Sequence, residues 1–199
     1  MHLVLASNSP RRRELLAQAG FSFTVRPAHI PEDPQAGEDP VSYVVRLARA
    51  KAQAVFDALD REPGEESSPR ADRVVLGADT TVTIDNQILG KPSDAADAAR
   101  MLALLSGRTH RVVTGVALAS ASGIEVAAEM TGVRFYTLSE AEIAAYIATG
   151  EPMDKAGAYA IQGRAARWIP RITGDYSNVV GLPLALLATM LESARTPGA

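Results

Sequence analysis

The chain has 199 residues, of which 47% are hydrophobic and 22% charged, with a formal net charge of −3 and no cysteine. This is the composition of a folded globular protein with enough length for a full core. It excludes disulfides, thiolate metal sites and a cysteine nucleophile, and the acidic balance argues against a broad nucleic-acid-binding face.

Residues 3–6 read as a short buried strand, and 10–19 as a helix stopped by Gly20, with Ser9 at the N-cap and Pro10 at the first helical position. Residues 21–26 alternate like a strand, and an acidic, Pro-rich loop over 27–40 carries Glu32, Asp33, Glu38 and Asp39. The pattern over 41–59 is helical. The polar stretch 61–73 predicts a mobile loop. Residues 74–78 form a buried strand, and 81–84 stay extended up to a turn at Asp85-Asn86. Ser93 is placed to cap a helix ending near Leu105, with Asp94 and Asp97 complementing its dipole. Residues 111–119 and 126–135 read as paired strands around the turn at 120–123. A helix over 139–149 opens on a Ser139/Glu142 capping box. Loop or short helix follows to 163, then a strand over 166–169 and a closing helix over 182–193. The alternation of strands and helices makes the class α/β, and no boundary divides the chain. We expect one domain, residues 1–199, built as two lobes.

No stretch reaches the roughly 18–20 apolar residues that span a bilayer. Residues 1–6 are too short an apolar run for a signal peptide. A cytoplasmic protein that binds neither membrane nor nucleic acid is expected. A small anion remains compatible with the net charge, because a local cluster of Arg and Lys can hold one.

Three arginines, Arg11, Arg12 and Arg13, occupy the first turn of the first helix, where the dipole favours acids. With free backbone N–H groups and the Ser7 and Ser9 hydroxyls they make a polyphosphate cradle, or else a solvated basic helix start. The Gly-rich run and Lys-Ser/Thr pair of a P-loop are missing. Lys51 falls on the apolar stripe of Val44, Ala48 and Val55. A lysine there either snorkels past the core edge or enters a polar cleft. Asp79 directly follows the strand 74–78, at a strand end where α/β sheets place ligands and chemistry. A carboxylate there binds a divalent metal or accepts a proton from water, unless it simply forms a turn. Glu32 is open to a second metal-binding role or to solvation in its loop, and Lys91 to a phosphate or to solvent. Gln162, in a glycine-rich segment, suits the edge of a nucleobase with its paired donor and acceptor, or else is an incidental residue of a surface loop. His29 and His110 have no spaced metal-binding partners and read as structural.

Taken together, Ala6-Ser7-Asn8-Ser9-Pro10-Arg11-Arg12, Lys51-Ala52, Gly77-Ala78-Asp79-Thr80, Gly90-Lys91-Pro92, Ser106-Gly107-Arg108-Thr109-His110, Glu151-Pro152-Met153-Asp154-Lys155-Ala156-Gly157, Ile161-Gln162-Gly163 and the run from Asn178 to Pro183 resemble the Maf family of nucleotide pyrophosphatases over nearly the whole chain. The resemblance implies an α/β fold related to the inosine-triphosphate pyrophosphatases: two lobes around a long twisted mixed sheet, with a central cleft. It also implies a homodimer and a divalent cation, Mg²⁺ or Mn²⁺. By position it makes Asp79 the proton acceptor, Glu32 (with Asp79) the metal site, and Ser7, Arg11, Arg12, Lys51 and Lys91 the triphosphate ligands. Arg11, Thr80 and Gln162 match the branch acting on dTTP and UTP, with Thr80 and Gln162 reading the pyrimidine edge. The activity so implied is hydrolysis of dTTP and UTP to monophosphate and pyrophosphate, with modified pyrimidine nucleotides as further substrates. The family's association with inhibition of septum formation supplies the alternative, a nucleotide-binding regulator with little turnover.

Overall fold

The computed structural model describes residues 1–61 and 69–195. Most of the expected mobile loop, residues 62–68, lies outside them. Its end, Arg70–Asp72, is a 3-10 turn leading into the central strand. The elements run β1 (His2–Leu5), α1 (Pro10–Gln18), β2 (Phe23–Val25), α2 (Pro40–Arg61), β3 (Arg73–Ile84), β4 (Gln87–Leu89), α3 (Ala95–Leu105), β5 (Thr109–Ser120), β6 (Gly123–Arg134), α4 (Glu140–Ile147), β7 (Arg171–Thr173), α5 (Tyr176–Val180) and α6 (Leu184–Arg195). Seven strands form one mixed sheet in the order β2-β1-β3-β5-β6-β7, with β4 also paired to β3. β1 runs parallel to β2 and β3, and the remaining pairs are antiparallel. None of the described helices is long and apolar enough to cross a membrane.

The local signals explain most elements. Ser9 accepts the backbone N–H of Arg12 and Pro10 opens α1, while no acid occupies that helix's first turn. The Ser139/Glu142 capping box forms at α4. At α3 the cap is Asp94 and not Ser93: the Asp94 carboxylate accepts from Asp97 N at 2.8 Å. Ser93 instead gives its own N–H to Asp97 at 3.1 Å. The expected strand over 166–169 is a 3-10 helix, Arg164–Trp168. Its buried residues, Ala165 and Trp168, stand three apart, the repeat of a 3-10 turn. The strand comes just after, at β7, pairing with the end of β6.

Helix α2 lies directly on the sheet. A Cβ on Gly77 would stand 2.1 Å from the Ala48 carbonyl oxygen, and one on Gly115 2.4 Å from that of Val44. Only glycine lets the helix backbone approach so closely. The buried stripe of α2 includes Tyr43, Leu47, Lys51 and Val55, at a spacing of four. One apolar cluster gathers α3, α4 and the 3-10 turns (Leu102, Leu105, Phe135, Tyr146, Trp168). Another gathers α1 and α6 around β1 and β3 (Leu5, Leu16, Leu76, Leu182, Leu187).

The edge of β3 that faces away from β5 is interrupted. β1 covers it as far as Leu76, where the Ala6 N–H donates to the Leu76 carbonyl at 2.8 Å, and β4 takes over at Val82. Residues 77–81 lie between, paired only to β5. This notch positions the site. Strand alternation turns the N–H and C=O of Ala78 and Thr80 into it, the same sense as Leu76. Asp79 and Thr80 project to opposite faces of the sheet beside it.

Candidate active site

Four chain segments end at the notch. Ser7-Asn8-Ser9 leave β1, the acidic loop leaves β2, Gly90-Lys91 leave β4, and the 3-10 segment from Glu151 comes from below α4. They enclose a cavity of about 700 Å³. Ser7, Arg11, Arg12, Glu32, Lys51, Asp79, Thr80, Lys91 and Gln162 all line it. Asp79 does not sit at a strand end, as the sequence pattern suggested. β3 continues through it to Ile84, because β5 pairs with β3 over the whole span 75–83. What exposes Asp79 to the cavity is the end of its other neighbour, β1.

On the α2 face, the Lys51 ammonium donates to Asp79 Oδ1 at 2.7 Å and contacts Glu32 Oε1 at 2.7 Å. Lys51 and Asp79 are each only 7% exposed, so the lysine enters the cleft and does not snorkel to solvent. Burial raises the Asp79 carboxyl above its ordinary range, against the opposing pull of Lys51 and Arg12. Burial also works to raise Glu32, but its hydrogen bond to Lys51, aided by Lys91 and Arg12, holds it below the usual range. The Tyr43 hydroxyl donates to the Glu32 carbonyl at 2.8 Å, and Arg46 grips Glu38 and the Asp33 carbonyl. The helix that carries Lys51 thus also anchors the loop that carries Glu32.

On the other face, Arg12 is buried and its guanidinium is fixed on three sides. It donates to the Gly181 carbonyl at 2.8 Å, to Ser7 Oγ at 3.1 Å and to Thr80 Oγ1 at 3.0 Å. Three of its five N–H groups are used, which leaves one on each terminal nitrogen. Ser7 Oγ also accepts the Ser9 N–H at 3.2 Å, so its own proton is available to a ligand. Thr80 Oγ1 lies 3.0 Å from Thr114 Oγ1 and 3.3 Å from the Gly181 carbonyl. Its single proton is directed inward, so toward the cavity Thr80 offers a lone pair only.

Arg11 lies 4.0 Å from Asp154, which also pairs with Lys155, at the cavity mouth. Lys91 and Gln162 line the cavity without a hydrogen bond or ion pair to the described residues. Sequence reasoning gave no site role to Tyr43 or Thr114, nor to Asp154 and Lys155, which it met only as part of a motif. Tyr43 was findable, since it lies eight before Lys51 on the same stripe. His110 is buried and bonded to the hydroxyl of Tyr159 at 2.8 Å, and it does not itself line the cavity.

The two carboxylates that converge on one cationic point form a hard oxygen set of the kind Mg²⁺ or Mn²⁺ takes. No group of three or more His, Cys, Asp or Glu that could hold a metal occurs among the described residues. Two carboxylates suffice where substrate phosphates and water complete the shell.

A family model described as Maf-like protein matches residues 2–194. The chain belongs to the Maf family. Named relatives agree in size with it: the dTTP/UTP pyrophosphatases of Koribacter versatilis (strain Ellin345) and Anaeromyxobacter dehalogenans (strain 2CP-C) are each 52% identical to this Maf chain, and each alignment covers 98% of the chain and 95% of the relative. That of Colwellia psychrerythraea is 48% identical over 96% and 88%. Among solved structures, the Staphylococcus aureus Ham1 protein matches with a TM-score of 0.53 at 14% identity, covering 98% of the Maf chain and all of its own. That likeness concerns the fold alone, a mixed α/β architecture.

Proposed function

We propose that this chain hydrolyses dTTP and UTP to the nucleoside monophosphate and pyrophosphate. The observation that carries the reading is the division of the notch. A shielded carboxylate stands on one face of the sheet and a pre-aimed arginine on the other, and both line the same cavity.

A nucleoside triphosphate is highly anionic, and an attacking oxygen meets that charge. Arg12, with two N–H groups to spare, the Ser7 hydroxyl, Lys91 and Arg11 neutralise the phosphates and fix their geometry. Asp79 keeps Oδ1 on Lys51 and uses its other oxygen to orient and deprotonate water. Burial shields it from bulk solvent, so its free oxygen is kept for a water held in the cavity. Glu32 and Asp79 would hold the divalent cation, which when bound supplies further charge neutralisation at the phosphates.

The base is read by complementary donors and acceptors. Thr80, with only a lone pair to offer, accepts from an N3–H, which uracil and thymine have and cytosine lacks. The Gln162 amide N–H donates to O4. Mispairing leaves buried polar groups unsatisfied, which is why such a site discriminates strongly. An intact water-activating set also weighs against a regulator that binds without turnover, since binding alone has no use for a shielded carboxylate base. Modified pyrimidine nucleotides that keep the N3/O4 edge present the same donors and acceptors, so they belong to the same substrate class.

The test is a panel of UTP, dTTP, CTP, GTP and 5-methyl-UTP with Mg²⁺ or Mn²⁺, following pyrophosphate against orthophosphate. Pyrophosphate released from UTP and dTTP, with CTP at least tenfold slower, is the expected result. Orthophosphate as first product, or CTP turned over as fast as UTP, refutes it.

A further inference from the structure

Arg12 owes its orientation to a buried polar chain that begins three strands away. α5 crosses the sheet on the Thr80 face, with Asn178 wholly buried beneath it. The Asn178 side-chain amide donates to the Val112 carbonyl at 3.1 Å on β5 and to Thr131 Oγ1 at 2.9 Å on β6. The reverse amide orientation would set two acceptors against each other, so these contacts fix it. Thr131, also wholly buried, accepts the Asp175 N–H and donates to the Asp175 carbonyl, both at 3.0 Å. Its donor and both lone pairs are therefore in use. Asp175 in turn caps α5 through Ser177 N at 2.6 Å. The helix so pinned presents two carbonyls to the site. That of Asn178 accepts from Thr114 at 3.2 Å, and that of Gly181, at φ +129° and so in a conformation suited to glycine, accepts from Arg12 Nε at 2.8 Å.

We propose that Thr131 and Asn178 are positioning residues for Arg12. Neither lines the cavity. Together they lock α5 to the sheet so that the Gly181 carbonyl holds the guanidinium with its two unused N–H groups turned to the phosphates. The cost of ordering a long, flexible side chain is thereby met on folding and not on binding. The inference rests on the reading of Arg12 as a phosphate ligand.

The experiment is a double-mutant cycle. Thr131→Val, which keeps volume and removes the hydroxyl, is measured for UTP in the wild-type and Arg12→Ala backgrounds, with Thr131→Ser as the conservative rescue. The expected result is a ten- to hundredfold fall in kcat/KM for Thr131→Val, carried mainly by KM. The same change costs less than threefold in the Arg12→Ala background, and Thr131→Ser keeps near-normal values. A fall of equal factor in both backgrounds means that the hydroxyl only supports folding, and overturns the proposal. An unchanged kcat/KM in Arg12→Ala alone removes the phosphate role of Arg12 and the proposal with it, so the two failures are distinguishable. A second readout needs no turnover: the Arg12 Nε–H proton is buried and bonded, and slow exchange with solvent by NMR is the expected result for the wild type. Thr131→Val speeds that exchange at least tenfold if the chain holds the guanidinium. Unchanged exchange overturns the proposal even where the variant's melting temperature falls. Asn178→Ser gives a second break in the same chain, for which the same cycle with Arg12→Ala is expected.

Discussion

Lys51 Nζ lies 2.7 Å from Asp79 Oδ1, yet the Asp79 carboxyl still titrates above its ordinary range, because burial outweighs its cationic neighbour. A carboxylate in that condition does not owe its place to the stability it adds. A folded-state pKa above the unfolded one means that this group's stabilising contribution is present at low pH and lost as pH rises through the folded value. At neutral pH its ionised form works against folding.

Replacing Asp79 by Asn is therefore expected to separate activity from stability. Pyrophosphate release from UTP falls by about 10²–10⁴-fold, the usual worth of a general base. The urea midpoint at pH 7 does not fall, since Lys51 retains Glu32 at 2.7 Å. Near-normal turnover in this variant removes Asp79 from the role of base.

The base-reading pair gives a second outcome. Gln162 is exposed on the free protein, so Gln162→Glu leaves stability unchanged. It replaces the amide donor by an acceptor facing O4, and UTP loses the equivalent of about 1–3 kcal/mol of transition-state binding. CTP, whose exocyclic amine is a donor there, loses less or gains. The ratio of kcat/KM for UTP and CTP measures the shift, and an unaltered ratio excludes Gln162 from recognition.

Several of these relationships could be read from the chain alone, others not. Lys51 was legible because a period of 3.6 places a charged residue unmistakably on an apolar stripe, and the Ser9, Pro10 and Ser139/Glu142 caps are local chemistry. Asp79 was legible as a candidate but misplaced: nothing in residues 74–84 shows that β5 keeps the strand extended while β1 stops at Leu5. The notch is a property of strand pairing, which one sequence does not encode in any local pattern. Thr114 and Thr131 read as ordinary β-branched strand residues, and Thr80 stands out from them only through the family motif. Their alignment under α5 depends on register across β3, β5 and β6. The five-residue α5 and three-residue β7 are too short for periodicity to reveal. The nine candidate residues came from their motifs in order, and their placement on the two faces of one notch came from the structure.

His110 predicts a pH effect on stability. It is buried between Phe135 and Tyr159, with ring centroids 4.9 and 5.3 Å away, and burial pushes its pKa down to about 3. The unfolded chain binds a proton near pH 6.5 and the folded one does not. The stability it contributes is full above about 6.5 and is lost as pH falls toward 3. Between pH 6 and 4 this single residue accounts for about 1 kcal/mol per pH unit. Urea unfolding at pH 7, 6, 5 and 4 should show the wild-type slope reduced by roughly that amount in His110→Phe, and parallel curves for the two proteins count against it.

The contact between α2 and the sheet offers the most direct test of what places Lys51 at Asp79. A methyl on Gly77 would meet the Ala48 carbonyl oxygen at 2.1 Å and the Ala52 nitrogen at 2.7 Å. Both are helix backbone, so no side chain can turn aside and α2 as a whole must lift. Gly77→Ala is expected to cost about 1–3 kcal/mol of stability. It should also lower kcat/KM out of proportion to that loss, because Lys51 rides on the displaced helix and Glu32 is tied to the same helix through Tyr43. Gly132→Ala is the matched control: it lies on β6, where a Cβ meets nothing nearer than 3.8 Å, and should leave both quantities near wild type. If Gly77→Ala loses stability while kcat/KM measured well below its melting temperature stays unchanged, the seating of α2 does not set the geometry of Lys51 and Asp79.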